Sequence, residues 1–349
     1  MLDGARDGAQ DGRDVDETLG ALEGEGAQIA VRRAGEAYPV HLDPDAGRAV
    51  LRAPSATPED DTPTYYGLPT LKEPVWTASI PLYFYTGGLA GASLALGAAA
   101  QLAGDRTLHG LSIRCRRIGF GAIVVSAGLL VEDLGRRGRF LNMLRVFRPT
   151  SPMSVGSWIL ALCGAATTGA QLPGALGDAC GLAAGALGVP LAGYTAVLLA
   201  GTAVPLWQSS RRTLPFLFVS GAIGSASSAL DLLDLEPREA IAVHRFGLAG
   251  KLAELLATFA VEHEAAADAE RVARPLHTGA SGALWTAAKV LTAASLAVSL
   301  LPGRGRGKRV VGALLGTLGS VAMRFAVFHA GKRSTRDPRA AFAMQRTSR

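Results

Sequence analysis

The chain has 349 residues, of which 49% are hydrophobic and only 18% are charged, well under the roughly 25% charge of a soluble domain. The formal net charge of +6 arises from 35 Lys and Arg against 29 Asp and Glu. The arginines nonetheless sit in short stretches between apolar runs, which is the pattern of membrane loops and excludes a nucleic-acid surface.

Residues 1–64 hold fourteen Asp or Glu against six Arg, with much Gly and Ala and few large apolar side chains. Such a composition cannot bury a core and predicts a disordered, acidic, soluble tail. No apolar stretch of signal-peptide length opens the chain, so the first membrane helix is expected to direct insertion. After Pro69 the character changes. Apolar runs of near 20 residues, the length that crosses a bilayer, predict helices over 78–103, 112–134, 154–172, 182–206, 214–234, 240–264, 282–301 and 309–330. Pro190, Lys251 with Glu254, and Arg324 interrupt the fourth, sixth and eighth. The fold class is thus all-α: a polytopic membrane protein of about eight transmembrane helices. Residues 65–235 form a first membrane half, 236–330 a second, and 331–349 a basic C-terminal tail.

Eight spans put both termini on one face. That face gathers Lys72, Arg136, Arg137, Arg139, Arg145, Arg148, Arg211, Arg212, Arg271 and Arg274 together with the basic tail, and the excess predicts cytoplasmic termini. Trp76, Trp158, Trp207 and Trp285 fall at helix ends on the same face. Gly88-Leu89-Ala90-Gly91 in the first helix is echoed by Gly221-Ala222-Ile223-Gly224 in the fifth, which suggests two parallel four-helix halves.

Four groups of residues are candidates for chemistry. Glu132 and Asp133 end an apolar helix and can exchange protons at the membrane surface, as two-electron, two-proton quinone chemistry requires. The spacing of Arg136, Arg139, Phe140, Met143 and Phe147 beyond them predicts an amphipathic helix lying in the interface. Tyr83 and Tyr85, read as sharing a face of the first helix, and Tyr194 inside the fourth can hydrogen-bond a quinone carbonyl. The sixth helix carries His244, Lys251, Glu254, Glu262 and His263, and intramembrane ionisable residues suggest a proton path. Lys251 and Glu254, three apart, can pair. The six histidines offer no set of facing pairs for a di-haem centre, and no haem is expected. Cys115, Cys163 and Cys180 form no CxxC pair and supply no framework for an iron–sulfur cluster or a metal site.

The ordered set Pro81-Leu82-Tyr83-Phe84-Tyr85-Thr86-Gly87-Gly88-Leu89-Ala90-Gly91, Asp133-Leu134-Gly135-Arg136, Arg139-Phe140-Leu141-Asn142-Met143, Ser151 to Trp158, Gly193 to Leu199 and Pro205-Leu206-Trp207 resembles the NrfD/PsrC family of polysulfide reductase membrane subunits. Tyr65-Tyr66-Gly67-Leu68-Pro69 and Lys72 through Trp76 look like the anchors beside formate dehydrogenase-type molybdenum enzymes. The resemblance implies two four-helix bundles, no cofactor of the chain's own, and menaquinone or ubiquinone as bound substrate. Its implied partners are a ferredoxin-like iron–sulfur subunit and a molybdenum catalytic subunit, in a bacterial inner membrane. Carried over, Tyr83 and Tyr85 border the head group, Tyr194 donates a hydrogen bond, Asp133 orients or exchanges protons, and Arg136 and Asn142 shape the loop above. Arg137 stands where the family often has Pro, and tyrosines stand where it often has His. The expected function is a haem-free, quinone-reactive anchor subunit of an oxidoreductase complex. The alternatives are an ion- or proton-translocating subunit using Glu132, His244, Lys251 and Glu254, or a purely structural anchor.

Overall fold

A computed structural model describes residues 14–16, 21–23, 40–42, 49–51, 71–134, 141–303 and 305–347. The chain divides into two compact units, Met1–Lys72 and Glu73–Arg349. In the first, β1 (Asp14–Asp16) pairs antiparallel with β2 (Ala21–Glu23), and β3 (Val40–Leu42) with β4 (Ala49–Leu51). The rest of the segment read as a disordered tail lies outside the described residues.

Among the described residues, the regular elements of the second unit are all helices. Its long helices are α1 (Ser79–Leu102), α2 (His109–Asp133), α3 (Pro152–Gly169) and α4 (Gly174–Ala200). The short α5 (Pro205–Ser209) precedes α6 (Leu214–Asp231) and α7 (Pro237–Asp268). Then follow α8 (Glu270–His277), α9 (Gly279–Leu300), α10 (Arg306–Ser334) and α11 (Pro338–Thr347). Proline marks several starts, because its missing N–H is unpaired there in any case: Pro152, Pro205, Pro237 and Pro338 each open a helix. Glu236 and Glu239 close a capping box on α7. Gly104 and Gly303, with φ of 66° and 98°, make the turns after α1 and α9 that a side chain would strain.

The long helices run alternately between two ends. At the first end α1, α3, α6 and α9 begin and α2, α4, α7 and α10 finish; the second end holds the opposite termini. α4, α6, α9 and α10 are long and apolar enough to cross a membrane. α2 and α7 also turn large apolar residues outward, among them Val124 and Val125, and Leu252, Leu256 and Phe259. α1 is the central element, packing on α2, α4, α6 and α10. The set of partners recurs: α1 on α2 and α4 with α3 on α4, then α6 on α7 and α10 with α9 on α10.

Glycine makes this packing close. A Cβ built on Gly91 would stand 2.4 Å from the Gly188 carbonyl oxygen, and one on Gly185 2.2 Å from Ala98 Cβ. Small residues let helix backbones touch where lipid gives no hydrophobic drive for association. α4 also starts at Gly174, earlier than the predicted 182, and there Gly177 and Gly181 are buried helix positions, not a loop. The predicted interfacial helix after α2 is corrected as well. Residues 135–140 lie outside the described residues, but Leu141–Leu144 is one 3-10 turn followed by bends and turns up to Ser151.

At the first end, Trp76 stacks on Trp207 with centroids 6.0 Å apart, and Trp207 Nε1 donates to the Val327 carbonyl at 2.9 Å. Trp207 and Trp285 are fully buried and line a small apolar cavity with Leu214, Val261, Leu276 and Val327. Those tryptophans are internal packing, not an interfacial belt. Glu73, just before α1, accepts from Arg336 Nε at 3.0 Å and pairs with Lys332 at 3.4 Å. The C-terminal segment read as a tail forms α11, with Ala340 buried.

Two outcomes follow from this packing. Gly91→Ala is expected to lower stability by about 1–3 kcal/mol through overpacking, whereas Gly121→Ala, with nothing within 4 Å of its Cβ position, is neutral in the same thermal melt in detergent. Partial burial raises the Glu73 carboxyl, but the hydrogen bonds and charges of Arg336 and Lys332 outweigh it and hold the pKa below the ordinary glutamate value. A lowered folded pKa means the clasp is fully present above about pH 4.3, the unfolded value, and is lost as pH falls through the lowered one. Amide exchange of α11 is expected to accelerate on that acid step in wild type and to be already fast in Glu73→Gln.

Candidate functional site

The first half presents a polar seam where α1 meets α2 at the first end. Asp133 Oδ1 accepts from Thr77 N at 2.9 Å and from Thr77 Oγ1 at 2.8 Å. Glu132 Oε2 accepts from Ser79 Oγ at 3.0 Å. About two turns deeper, Thr86 Oγ1 and Ser126 Oγ lie 2.7 Å apart. The two carboxylates predicted as proton exchangers thus also fix the start of α1, tying it to the end of α2.

Tyr83 lies along α1 between these rungs. It is 2% exposed, its hydroxyl has no partner, and its ring borders the Cβ position of Gly87, beside Ser126. An unmade hydrogen bond on a buried hydroxyl costs about 1–3 kcal/mol, so a group that accepts from Tyr83 is favoured there. Among the described residues a second buried aromatic donor without a partner is Trp158 Nε1 on α3, whose ring meets Phe147 edge-on at 6.2 Å. Tyr194 of α4 lies flat on α3: a Cβ on Gly156 would stand 2.0 Å from its ring. Asn142 is exposed on the 3-10 turn, and Arg136 lies outside the described residues.

Tyr85 does not share a face with Tyr83. Two positions along a helix turn through about 200°, and Tyr85 points away from the seam, towards Ser225 of α6 and Thr317 and Arg324 of α10. There it borders a second polar cluster. Glu254, Lys251 and Arg324 are each 2% exposed or less. Arg324 Nη2 donates to the Phe218 carbonyl at 2.8 Å and its guanidinium covers the Phe218 ring at 4.0 Å. Lys251 Nζ donates to Ser299 Oγ of α9 at 3.1 Å, and the predicted partner Glu254 still acts on its charge without a direct ion pair. Ser225 and Ser320 hydroxyls lie 2.8 Å apart beside them.

The remaining predicted path residues are elsewhere. His244 is exposed on α7, and Glu132 belongs to the first-half seam. Glu262 Oε1 accepts from Trp285 Nε1 at 2.5 Å and Lys289 Nζ at 2.6 Å, a structural tie between α7 and α9 at the first end. His263 and His329 are exposed. Among the described residues no three His, Cys, Asp or Glu gather as a metal site. Sequence reading treated Arg324 only as an interruption and passed over Asp231; their signal was present, since a charge inside an apolar run demands a partner.

Comparison with known proteins bears on both halves. The model of the family described as polysulphide reductase, NrfD, matches residues 68–167, which contain α1, α2 and most of α3. No curated protein matches the chain. Among solved structures, the bd oxidase from Geobacillus thermodenitrificans is similar, at 15% identity and a TM-score of 0.50, over 74% of this chain and 82% of that one. At that identity the likeness concerns the fold. The family resemblance read from the sequence is thus shown for residues 68–167, where this membrane protein carries the NrfD, polysulphide reductase, region.

Proposed function

We propose that the protein is a haem-free membrane anchor subunit of a multi-subunit oxidoreductase, passing electrons between a partner iron–sulfur subunit and membrane quinone. The observation that carries this reading is the unpartnered, buried hydroxyl of Tyr83 inside the matched region, next to a seam of two carboxylates. A quinone carbonyl has lone pairs and no donor, so it suits a hydroxyl that lacks an acceptor. Glu132 and Asp133, held at the membrane end by Ser79 and Thr77, are placed to exchange the protons that accompany the electrons. Tyr194 and Asn142 complete the proposed site from α4 and the loop after α2; Arg136, also proposed to belong to it, lies outside the described residues. Tyr85 is left out of it, because it faces the second cluster.

The recurring set of helix contacts supports two four-helix bundles, α1–α4 and α6, α7, α9, α10, with all eight long helices crossing the membrane. The outward apolar residues of α2 and α7 support spans there despite their charges. The proposed partners are a ferredoxin-like iron–sulfur subunit and a molybdenum catalytic subunit, docked at the basic first end of a bacterial inner-membrane protein with cytoplasmic termini. A second reading, a proton-translocating subunit, is favoured by the burial of Lys251 and Glu254 in the second half.

Quenching of tryptophan fluorescence by a quinone analogue tests the first reading in the purified complex. Saturable binding is expected, with Tyr83→Phe weakening it about two- to tenfold, the worth of one hydrogen bond at ~0.5–1.5 kcal/mol. Asp133→Asn is expected to lower turnover with the partner more than it lowers binding. Binding unaltered in Tyr83→Phe and Tyr194→Phe would remove the proposed site.

A further inference from the structure

The second cluster closes on a glycine that has no side chain to keep its charges apart. A Cβ on Gly221 would stand 2.8 Å from Glu254 Oε1 and 3.0 Å from Arg324 Nη2. The carboxylate and guanidinium therefore both press on the bare face of Gly221, where a methyl group would not fit, yet they form none of the ion pairs found among the described residues. Glu254 Oε1, Arg324 Nε and Arg324 Nη1 are buried without partners. In a membrane interior such atoms are costly when dry, and unpartnered buried polar atoms of this kind are what internal waters bridge.

The polar lining continues in one direction. Glu254 Oε2 and Lys251 Cγ lie beside Gly224, and Lys251 Cε lies beside Gly316, where Ser228 Oγ, itself buried and unpartnered, also points. Asp231, at the end of α6, faces Lys251 and Arg309. Lys251 Nζ reaches Ser299, one residue before the end of α9. Polar groups thus lead from Glu254 to the second end. In the other direction Arg324 rests on Phe218, which packs on Phe84 at 5.8 Å, and buried Leu214, Leu217 and Val327 follow.

We propose that water enters this cleft from the second end only, and that Glu254 is a proton-exchanging carboxyl at its closed end. A proton delivered by the water column binds one oxygen of the Glu254 carboxylate, and its release regenerates the carboxylate and returns the proton to the same column. Arg324 from α10 and Lys251 from α7 are the charged groups acting on the Glu254 carboxyl, with Tyr85 from α1 beside Arg324 and Asp231 from α6 beside Lys251, and Gly221 lets carboxylate and guanidinium both reach its bare face. The cleft deepens the second reading above by naming the carboxyl that exchanges protons and the end from which it is reached. It rests on α7 spanning the membrane and is independent of the quinone site.

Infrared difference spectra of the full chain in lipid nanodiscs, recorded against pH, test the carboxyl. One carboxylic C=O band that titrates and shifts in D2O is expected in wild type and absent in Glu254→Gln; no titrating band, or a band that persists in Glu254→Gln, overturns the inference. Direction is tested in proteoliposomes of a Cys180→Ala background with silver ion, a probe small enough for a water-filled cleft. Thr107→Cys reports the second end and Arg145→Cys the first. Ser228→Cys is expected to react at least tenfold faster from the side that reaches Thr107→Cys. Equal reaction from both sides, or none from either, overturns a one-sided cleft. If Thr107→Cys and Arg145→Cys are reached from one side, the spanning arrangement itself fails. Quinone-analogue binding in Glu254→Gln is expected at the wild-type value, and its loss in wild type with the band retained would remove the quinone reading alone.

Discussion

Close approach of backbone to backbone along α1 governs the rest of the helical unit. In lipid, apolar side chains gain nothing by leaving one another's company for hydrocarbon, so helices associate through van der Waals contact and a few polar ties. Gly91 lets α1 lie on Gly188 and Ala192 of α4, and Gly88 lets it lie on Ala222 of α6. With α1 fixed between its neighbours, the flank bearing Tyr83 is pressed into the α2 seam and the flank bearing Tyr85 towards α6 and α10. One helix therefore supplies a wall to each of the two polar regions, and the distance between those regions is set by its diameter.

The two regions differ in kind although the contact pattern around them repeats. The first-half seam is built from hydroxyls and carboxylates near a helix end, where neighbouring water keeps charge inexpensive. The second-half cluster holds both signs of charge deep within the bundle, where each ion needs compensation from several elements. Phe218 contributes twice to that compensation, through its carbonyl and through the face of its ring. Gly221 and Gly224 admit the Glu254 and Lys251 side chains between helices that would otherwise close upon them.

Helix positions were legible because an apolar run near 20 residues long has few alternatives. Errors arose where composition and packing part company. Gly174 to Gly181 reads as a breaker in water, yet in a bundle the same residues are the contact surface of α4. Residues 141–148 continue a helical spacing of basic and apolar side chains, but spacing does not supply the tertiary contacts that make a short helix persist. Of the site residues, Tyr83, Glu132, Asp133, Lys251 and Glu254 were legible from type and place. The division of Tyr83 from Tyr85 needed only helical geometry. The meeting of Arg324 with Glu254 over Gly221 joins residues up to about a hundred positions apart, and no local pattern announces it.

The bond between Glu73 and Arg336 joins the segment that leads into the helical unit with the segment that leads out of it. The unit is in effect a ring closed by a noncovalent clasp, with Lys332 and Trp76 alongside. Tension applied at either terminus is borne first by that clasp and by the Trp76–Trp207 stack, before it reaches α1. A load on one terminus is thereby shared with the other, and the glycine contacts that hold the two polar regions in place are mechanically insulated from both.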